Sequence, residues 1–169
     1  MTLVMRIIHA GRHRMSVRIS QCMGVAKVPN VRILVAEDVQ LWREFISSTL
    51  RKESSFEIIC EVVDGLQAVL VAEQHQPTIA LLDIGLPRLN GIEAARSIRM
   101  LAPHTGIIFL SEQHDPEVVQ AALDLANGYV LKSDAANDLL AAIHSVARGE
   151  TFVSCRMAKP GITGKRENV

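Results

Sequence analysis

From Val31 onward, five short runs of β-branched and other apolar residues alternate with amphipathic segments of about three turns, and this alternation limits the folds open to the chain more than any other feature. The spacing predicts strands over Val31–Ala36, Phe56–Val62, Thr78–Leu82, Ile107–Ser111 and Gly128–Leu131. A helical pattern follows each. Leu41, Phe45 and Leu50 mark the first, Leu66, Val69 and Leu70 the second, and Ile92, Ala95 and Ile98 the third. The fourth runs from Pro116 to Leu125. The fifth runs from Ala135 to Arg148, with Leu139, Leu140, Ile143 and Val146 as one apolar stripe. Strands that are apolar throughout are buried on both faces, so the expected architecture is α/β, a doubly wound five-stranded parallel sheet with helices on both sides. In such a sheet, ligands bind outside the carboxyl ends of the strands.

The chain has 169 residues, enough for one domain with a sizeable core. Its apolar runs fall far short of the roughly 20 residues that span a bilayer, so no membrane segment is expected. Cys22, Cys60 and Cys155 are widely spaced and form no metal-binding pair, which suits a reducing cytoplasm. The net charge of zero hides an asymmetry. Residues 1–30 carry Arg6, Arg12, Arg14, Arg18 and Lys27 and no acid, whereas residues 31–153 carry 17 acids against 9 basic residues, a balance of −8. An acidic body is poorly matched to a polyphosphate surface. The expected organisation is therefore a disordered basic extension over 1–30, a folded domain over 31–153 and a flexible tail over 154–169. A targeting peptide is the alternative reading of the extension.

Polar residues close several strands: Glu37 and Asp38 after the first, Asp83 after the third, Ser111 at the end of the fourth and Lys132 after the fifth. Asp38 alone could instead cap the helix that follows. Asp83 is separated from the next helix by a loop containing Gly85, Pro87 and Gly91, too far to be its cap. Three carboxylates brought together repel one another and are reconciled by a hard divalent cation with oxygen ligands, Mg²⁺ or Mn²⁺ in its place. Asp83 can then serve as nucleophile in phosphoryl transfer, with Lys132 as fixed positive charge and the Ser111 hydroxyl as a donor to a phosphoryl oxygen. No GxxxxGK[ST] or GxGxxG loop is present for a nucleotide, and no GxSxG elbow for a hydrolase.

In order and spacing, the stretch Val31 to Asp38, the run Leu81-Leu82-Asp83-Ile84-Gly85-Leu86-Pro87 with Asn90-Gly91, then Ser111, then Gly128-Tyr129-Val130-Leu131-Lys132 resemble the receiver domains of bacterial response regulators. The subgroup that continues into a LuxR-type helix-turn-helix is the most similar. The resemblance implies a flavodoxin-like (βα)5 fold with strand order 2-1-3-4-5. It also implies an acid pair for the metal in Glu37 and Asp38, the phosphoacceptor in Asp83, a metal-ligating carbonyl at Gly85 and a phosphoryl-contacting Lys132. Ser111 and Tyr129 become a conformational switch pair, with the ring drawn inward on activation. Two positions depart from the family's usual pattern. Glu112 stands where Ala or Gly follows the switch residue, and Leu125 stands where Gly is common. Glu112 is expected to modulate access to the phosphoryl group.

By the same resemblance, the chain is not a conventional enzyme. It accepts a phosphoryl group from a sensor histidine kinase or a phosphotransfer protein and changes a protein-interaction surface, with a homodimer possible through the face of the fourth helix, fifth strand and fifth helix. A degenerate receiver acting as a phosphorylation-independent interaction module is the alternative. With 20 residues after Gly149, including Pro160, Gly161 and Gly164, no DNA binding by this chain is expected.

Overall fold

The computed structural model describes residues 30–154. The expected extension over 1–30, with Cys22, lies outside the described residues apart from Asn30, and the expected tail over 154–169, with Cys155, lies outside them apart from Ser154, which is fully buried. The strands are β1 (Val31–Ala36), β2 (Phe56–Val62), β3 (Ile79–Leu82), β4 (Gly106–Ser111), β5 (Gly128–Leu131) and β6 (Phe152–Val153). The helices are α1 (Gln40–Leu50), α2 (Gly65–His75), α3 (Gly91–Leu101), α4 (Pro116–Leu123) and α5 (Ala135–Ala147), with a 3₁₀ turn over Lys132–Asp134 before the last. All strands are parallel in the order β2-β1-β3-β4-β5-β6.

The expected (βα)5 sheet is present, extended by one short strand. After α5 the chain turns at Gly149, whose φ of 79° is left-handed, and lays Phe152 and Val153 beside Gly128 and Tyr129. Ser154 is fully buried there. Its N–H donates to the Tyr129 carbonyl at 3.0 Å, and its Oγ accepts from the Leu131 N–H at 3.2 Å. Two residues are too few for a periodic signal, which is why the sequence pattern did not reveal β6.

Successive residues of the central strands face opposite sides of the sheet. Leu34, Ala36, Ala80 and Leu82 pack with α2, α3 and α4, while Ile33, Val35, Ile79 and Leu81 pack with α1 and α5. The buried faces of two helices differ in part from expectation: Phe45, Leu50 and Val69 pack on the core as expected, whereas Leu41, Leu66 and Leu70 do not. Leu41 is 75% exposed, and α1 meets the sheet through Ile46 and Leu50. In α2, Leu66 and Leu70 face outward, and the core contact is made by Ala68 and Ala72, two residues away or about 200° of helix rotation. Small residues bring α2 close to its neighbours. A Cβ on Gly65 would collide with the Leu89 carbonyl oxygen, so the first turn of α2 sits directly on the loop after β3.

Helix starts follow side-chain chemistry. Asp64 accepts from the Gln67 N–H, Asn90 from the Glu93 N–H, and Asp115 from the Glu117 N–H with Pro116 next to it. The start of α1 has no side-chain cap: Val39 occupies that position, so Asp38 is not spent on capping. Helix α4 stops at Leu123, two residues earlier than expected. Leu125 lies beyond it, with its carbonyl accepting from Arg99 Nε at 2.8 Å. Among the described residues, no helix is long and apolar enough to cross a membrane.

Candidate functional site

The parallel register carries the polar strand-end residues to one place. Ala36 pairs with Leu82, so Glu37 and Asp83 leave the sheet side by side, and the Asp83 N–H donates to the Ala36 carbonyl at 2.9 Å. Ser111 pairs with Leu131, which brings Lys132 up beside the end of β4. Asp38, Asp83, Gly85, Ser111, Glu112 and Lys132 line one open cleft, together with Val39, Trp42, Ile84 and Gln113. Every residue singled out at a strand end therefore lies in or against this cleft.

Carboxylate oxygens of Glu37, Asp38 and Asp83 all lie within 4.8 Å of one another. Lys132 Nζ is 2.8 Å from Glu37 Oε2 and 3.2 Å from Asp83 Oδ1, with the lysine, Glu37 and Asp83 all buried and Asp38 exposed. The second Asp83 oxygen, Oδ2, accepts from the Gly85 N–H at 2.8 Å. Glu37 Oε1 accepts from the Val39 N–H at 3.2 Å. Burial raises the Glu37 carboxyl above its ordinary range, and the Lys132 contact offsets this only in part. Burial would lower Lys132, but the Glu37 contact and the Asp83 charge outweigh it and hold the ammonium above its usual value.

This donor set fits a hard divalent cation. Buried Glu37 Oε2 has the Lys132 ammonium as its ion-pair partner and no further polar contact among the described residues. Three carboxylates against one ammonium leave two formal negative charges, and all the available ligand atoms are oxygens. The backbone around them is pinned as well. Arg43 Nη1 donates to the carbonyls of Glu37 at 2.8 Å and Asp38 at 2.7 Å, which fixes the loop that presents both acids.

Ser111 and Tyr129 converge on Gln113. The Gln113 N–H donates to Ser111 Oγ at 3.1 Å, and the Tyr129 hydroxyl donates to the Gln113 carbonyl at 2.9 Å. The Tyr129 side chain is fully buried. Burial raises its hydroxyl above the usual tyrosine range, with the Ser111 hydroxyl acting in the opposite sense. Glu112 is exposed on the rim of the cleft.

Three contributors were not singled out from sequence: Trp42, Arg43 and Gln113. Trp42 and Arg43 belong to a helix read there only for its apolar stripe. Gln113 acts through its main chain, and backbone contacts leave no residue-type signal. Trp42 places its ring 5.2 Å from Lys132 Nζ.

A doubly wound parallel sheet with three carboxylates and a lysine at the carboxyl ends of β1, β3 and β5 defines a receiver-type phosphoacceptor module rather than a conventional enzyme. The chain belongs to the response regulator receiver domain family, whose model matches residues 33–144. The transcriptional regulatory protein DegU of Brevibacillus brevis is 34% identical over 124 residues, covering 73% of this chain and 52% of DegU. The transcriptional regulatory protein PdtaR of Mycobacterium tuberculosis (strain ATCC 25618 / H37Rv) is 38% identical over 121 residues, covering 70% of this chain and 57% of PdtaR. Among solved structures, the signal receiver domain of the response regulator NarL from Mycobacterium tuberculosis superposes with a TM-score of 0.68 at 30% identity, covering 72% of this chain and 98% of that one. The chain spans a little over half the length of these curated relatives.

Proposed function

We propose that Asp83 accepts a phosphoryl group from a phosphohistidine on a sensor histidine kinase or phosphotransfer protein, and that the phosphorylated state changes how the chain meets a partner protein. The observation that carries this reading is the Asp83 carboxylate itself, held at a strand end by the Gly85 N–H on one oxygen and Lys132 on the other, inside the acidic cluster. In the transfer, a carboxylate oxygen of Asp83 forms the new P–O bond as the donor's P–N bond breaks, and the imidazole leaves with the electron pair. Lys132 supplies a buried positive charge that does not have to be recruited from solvent.

Glu37, Asp38, Asp83 and the Gly85 carbonyl are the groups assigned to hold Mg²⁺, or Mn²⁺. When bound, the cation offsets negative charge between nucleophile and phosphoryl oxygens. Ser111 is assigned to donate its hydroxyl to a phosphoryl oxygen. Ser111 Oγ can donate to the phosphoryl group while still accepting from the Gln113 N–H, so its movement toward the phosphoryl group draws the loop after β4 with it, and Tyr129, hydrogen-bonded to the same Gln113, relays the shift to the face of α4, β5 and α5. A two-fold homodimer through that face is the form of response this reading favours. Because β6 lies along the β5 edge, the helices would carry the contact. A cytoplasmic location, where the one free cysteine among the described residues, Cys60, stays reduced, belongs to the same reading.

The test is intact-mass analysis after incubation with a divalent cation and acetyl phosphate. The wild type gains one phosphoryl group and Asp83→Asn gains none. An unmodified wild type, under conditions where another receiver is labelled, would reject the phosphoacceptor reading in favour of a phosphorylation-independent interaction module.

A further inference from the structure

The geometry points to Trp42 as a positioning residue for Lys132, an inference that rests on the phosphoacceptor reading of the site. Trp42 is the only tryptophan in the chain, and it lies in the first turn of α1, immediately after the loop that presents Glu37 and Asp38. Its ring centroid is 5.2 Å from Lys132 Nζ, inside the range of roughly 6 Å at which an ammonium is attracted to an aromatic face. The ring is itself held in place. Phe45, one turn further along α1, meets it edge-on with centroids 5.5 Å apart and planes at 89°.

What this contact does follows from the other partners of the ammonium. Lys132 Nζ is paired with Glu37 and Asp83, and both belong to the three-carboxylate cluster suited to a cation. A cation held by those oxygens would weaken their hold on the lysine. A phosphoryl group arriving at Asp83 then requires the ammonium to change partners. The indole face is a partner with no formal charge, and it is not claimed by a metal or altered by phosphorylation. It therefore anchors the ammonium at the mouth of the site while the anionic partners are exchanged. It also covers one side of a charge that would otherwise hydrate, which matters because Lys132 acts from a buried position. A leucine, smaller than the indole, would provide part of the cover without the electrostatic attraction.

The experiment uses the full chain as wild type, Trp42→Phe and Trp42→Leu. Labelling by acetyl phosphate is followed at saturating Mg²⁺, with the maximal rate separated from the half-saturating donor concentration. The ring-current shift of the Lys132 ε-methylene protons and the melting temperature are recorded alongside. The expected order of maximal rates is wild type, then Phe, then Leu, with the leucine variant slower by roughly fivefold, the equivalent of about 1 kcal/mol of lost cation–π attraction. Mg²⁺ affinity by calorimetry should be unchanged, and the upfield shift of the lysine protons should shrink in phenylalanine and vanish in leucine. Maximal rates that match the wild type in both variants would overturn the assignment. So would equal losses in both variants that track melting temperature, since these would reduce Trp42 to a packing residue. A wild type that fails to label is a different outcome, because it rejects the phosphoacceptor reading and the Trp42 role with it.

Discussion

Arg88 Nη1 lies 3.2 Å from Asp64 Oδ2, and Arg88 reaches it from a left-handed backbone position with φ of 66°. The contact ties the loop after Asp83 to the start of α2, where Asp64 also caps the helix through the Gln67 N–H. A residue with a side chain is strained at such a φ, and glycine is not. The exposed guanidinium contributes little through charge alone. Arg88→Gly is therefore expected to be more stable than Arg88→Ala by about 1 kcal/mol, since both lose the ion pair but only glycine removes the strain. Urea denaturation of the two variants measures the difference, and equal midpoints would show that the loop relaxes around either residue.

Asp64 also gives the fold a pH dependence of known sign. The Gln67 N–H holds its carboxyl below the ordinary aspartate value, burial opposes this, and Arg88 adds to the lowering. A carboxyl lowered in the folded state stabilises the fold fully above its unfolded value of about 3.9, and this contribution is lost as pH falls through the lower folded value. Asp64→Asn cannot titrate. Melting temperatures measured from pH 6 downward should fall more steeply for the wild type than for Asp64→Asn once the pH passes below about 4. Parallel curves would remove Asp64 as a source of acid sensitivity.

Gly91, the first residue of α3, sits so close to the end of β3 that a Cβ would collide with the Asp83 carbonyl oxygen. Backbone cannot rotate away as a side chain can. At Gly106 the added Cβ would meet Val146 Cγ1 at 2.6 Å, and that methyl can move. Gly91→Ala should therefore cost more than Gly106→Ala, on the order of 1–3 kcal/mol or above, and should slow labelling by displacing Asp83. Denaturant midpoints and acetyl phosphate labelling of both variants check the ranking. A milder effect at Gly91 would show that α3 can retreat from the site.

Much of this arrangement was legible in the sequence, because the features that carry it are periodic or chemically distinctive. The five main strands have runs long enough to register, and Glu37, Asp38, Asp83, Ser111 and Lys132 each follow or close such a run. The helix faces were less legible. Leu66 and Leu70 outweigh Ala68 and Ala72 in any reading based on hydrophobicity, yet the tight approach of α2 to the loop after β3 selects the smaller residues for the core. The Arg43 contacts to the Glu37 and Asp38 carbonyls, and the convergence of Ser111 and Tyr129 on Gln113, depend on backbone placement that no residue pattern encodes.

Glu112 places a carboxylate on the rim of the cleft, next to Ser111. The expected effect of this carboxylate is to shield Asp83 by its bulk and to oppose an anionic donor by its charge, the second being open to screening by salt. Glu112→Ala should take up phosphoryl from acetyl phosphate several-fold faster at low salt and also lose it faster. The difference in uptake should shrink as ionic strength rises. Slower loss in the alanine variant would point instead to Glu112 as the group that orients an attacking water.

The assignment of Asp83 as the residue modified is tested most directly by locating the phosphoryl group. After labelling with acetyl phosphate and Mg²⁺, borohydride reduction converts an aspartyl phosphate to homoserine, and peptide mass mapping shows which aspartate has changed. The account predicts conversion at Asp83 alone, with none in a sample kept unphosphorylated. Conversion at Asp38 or another carboxylate while Asp83 stays intact would contradict it.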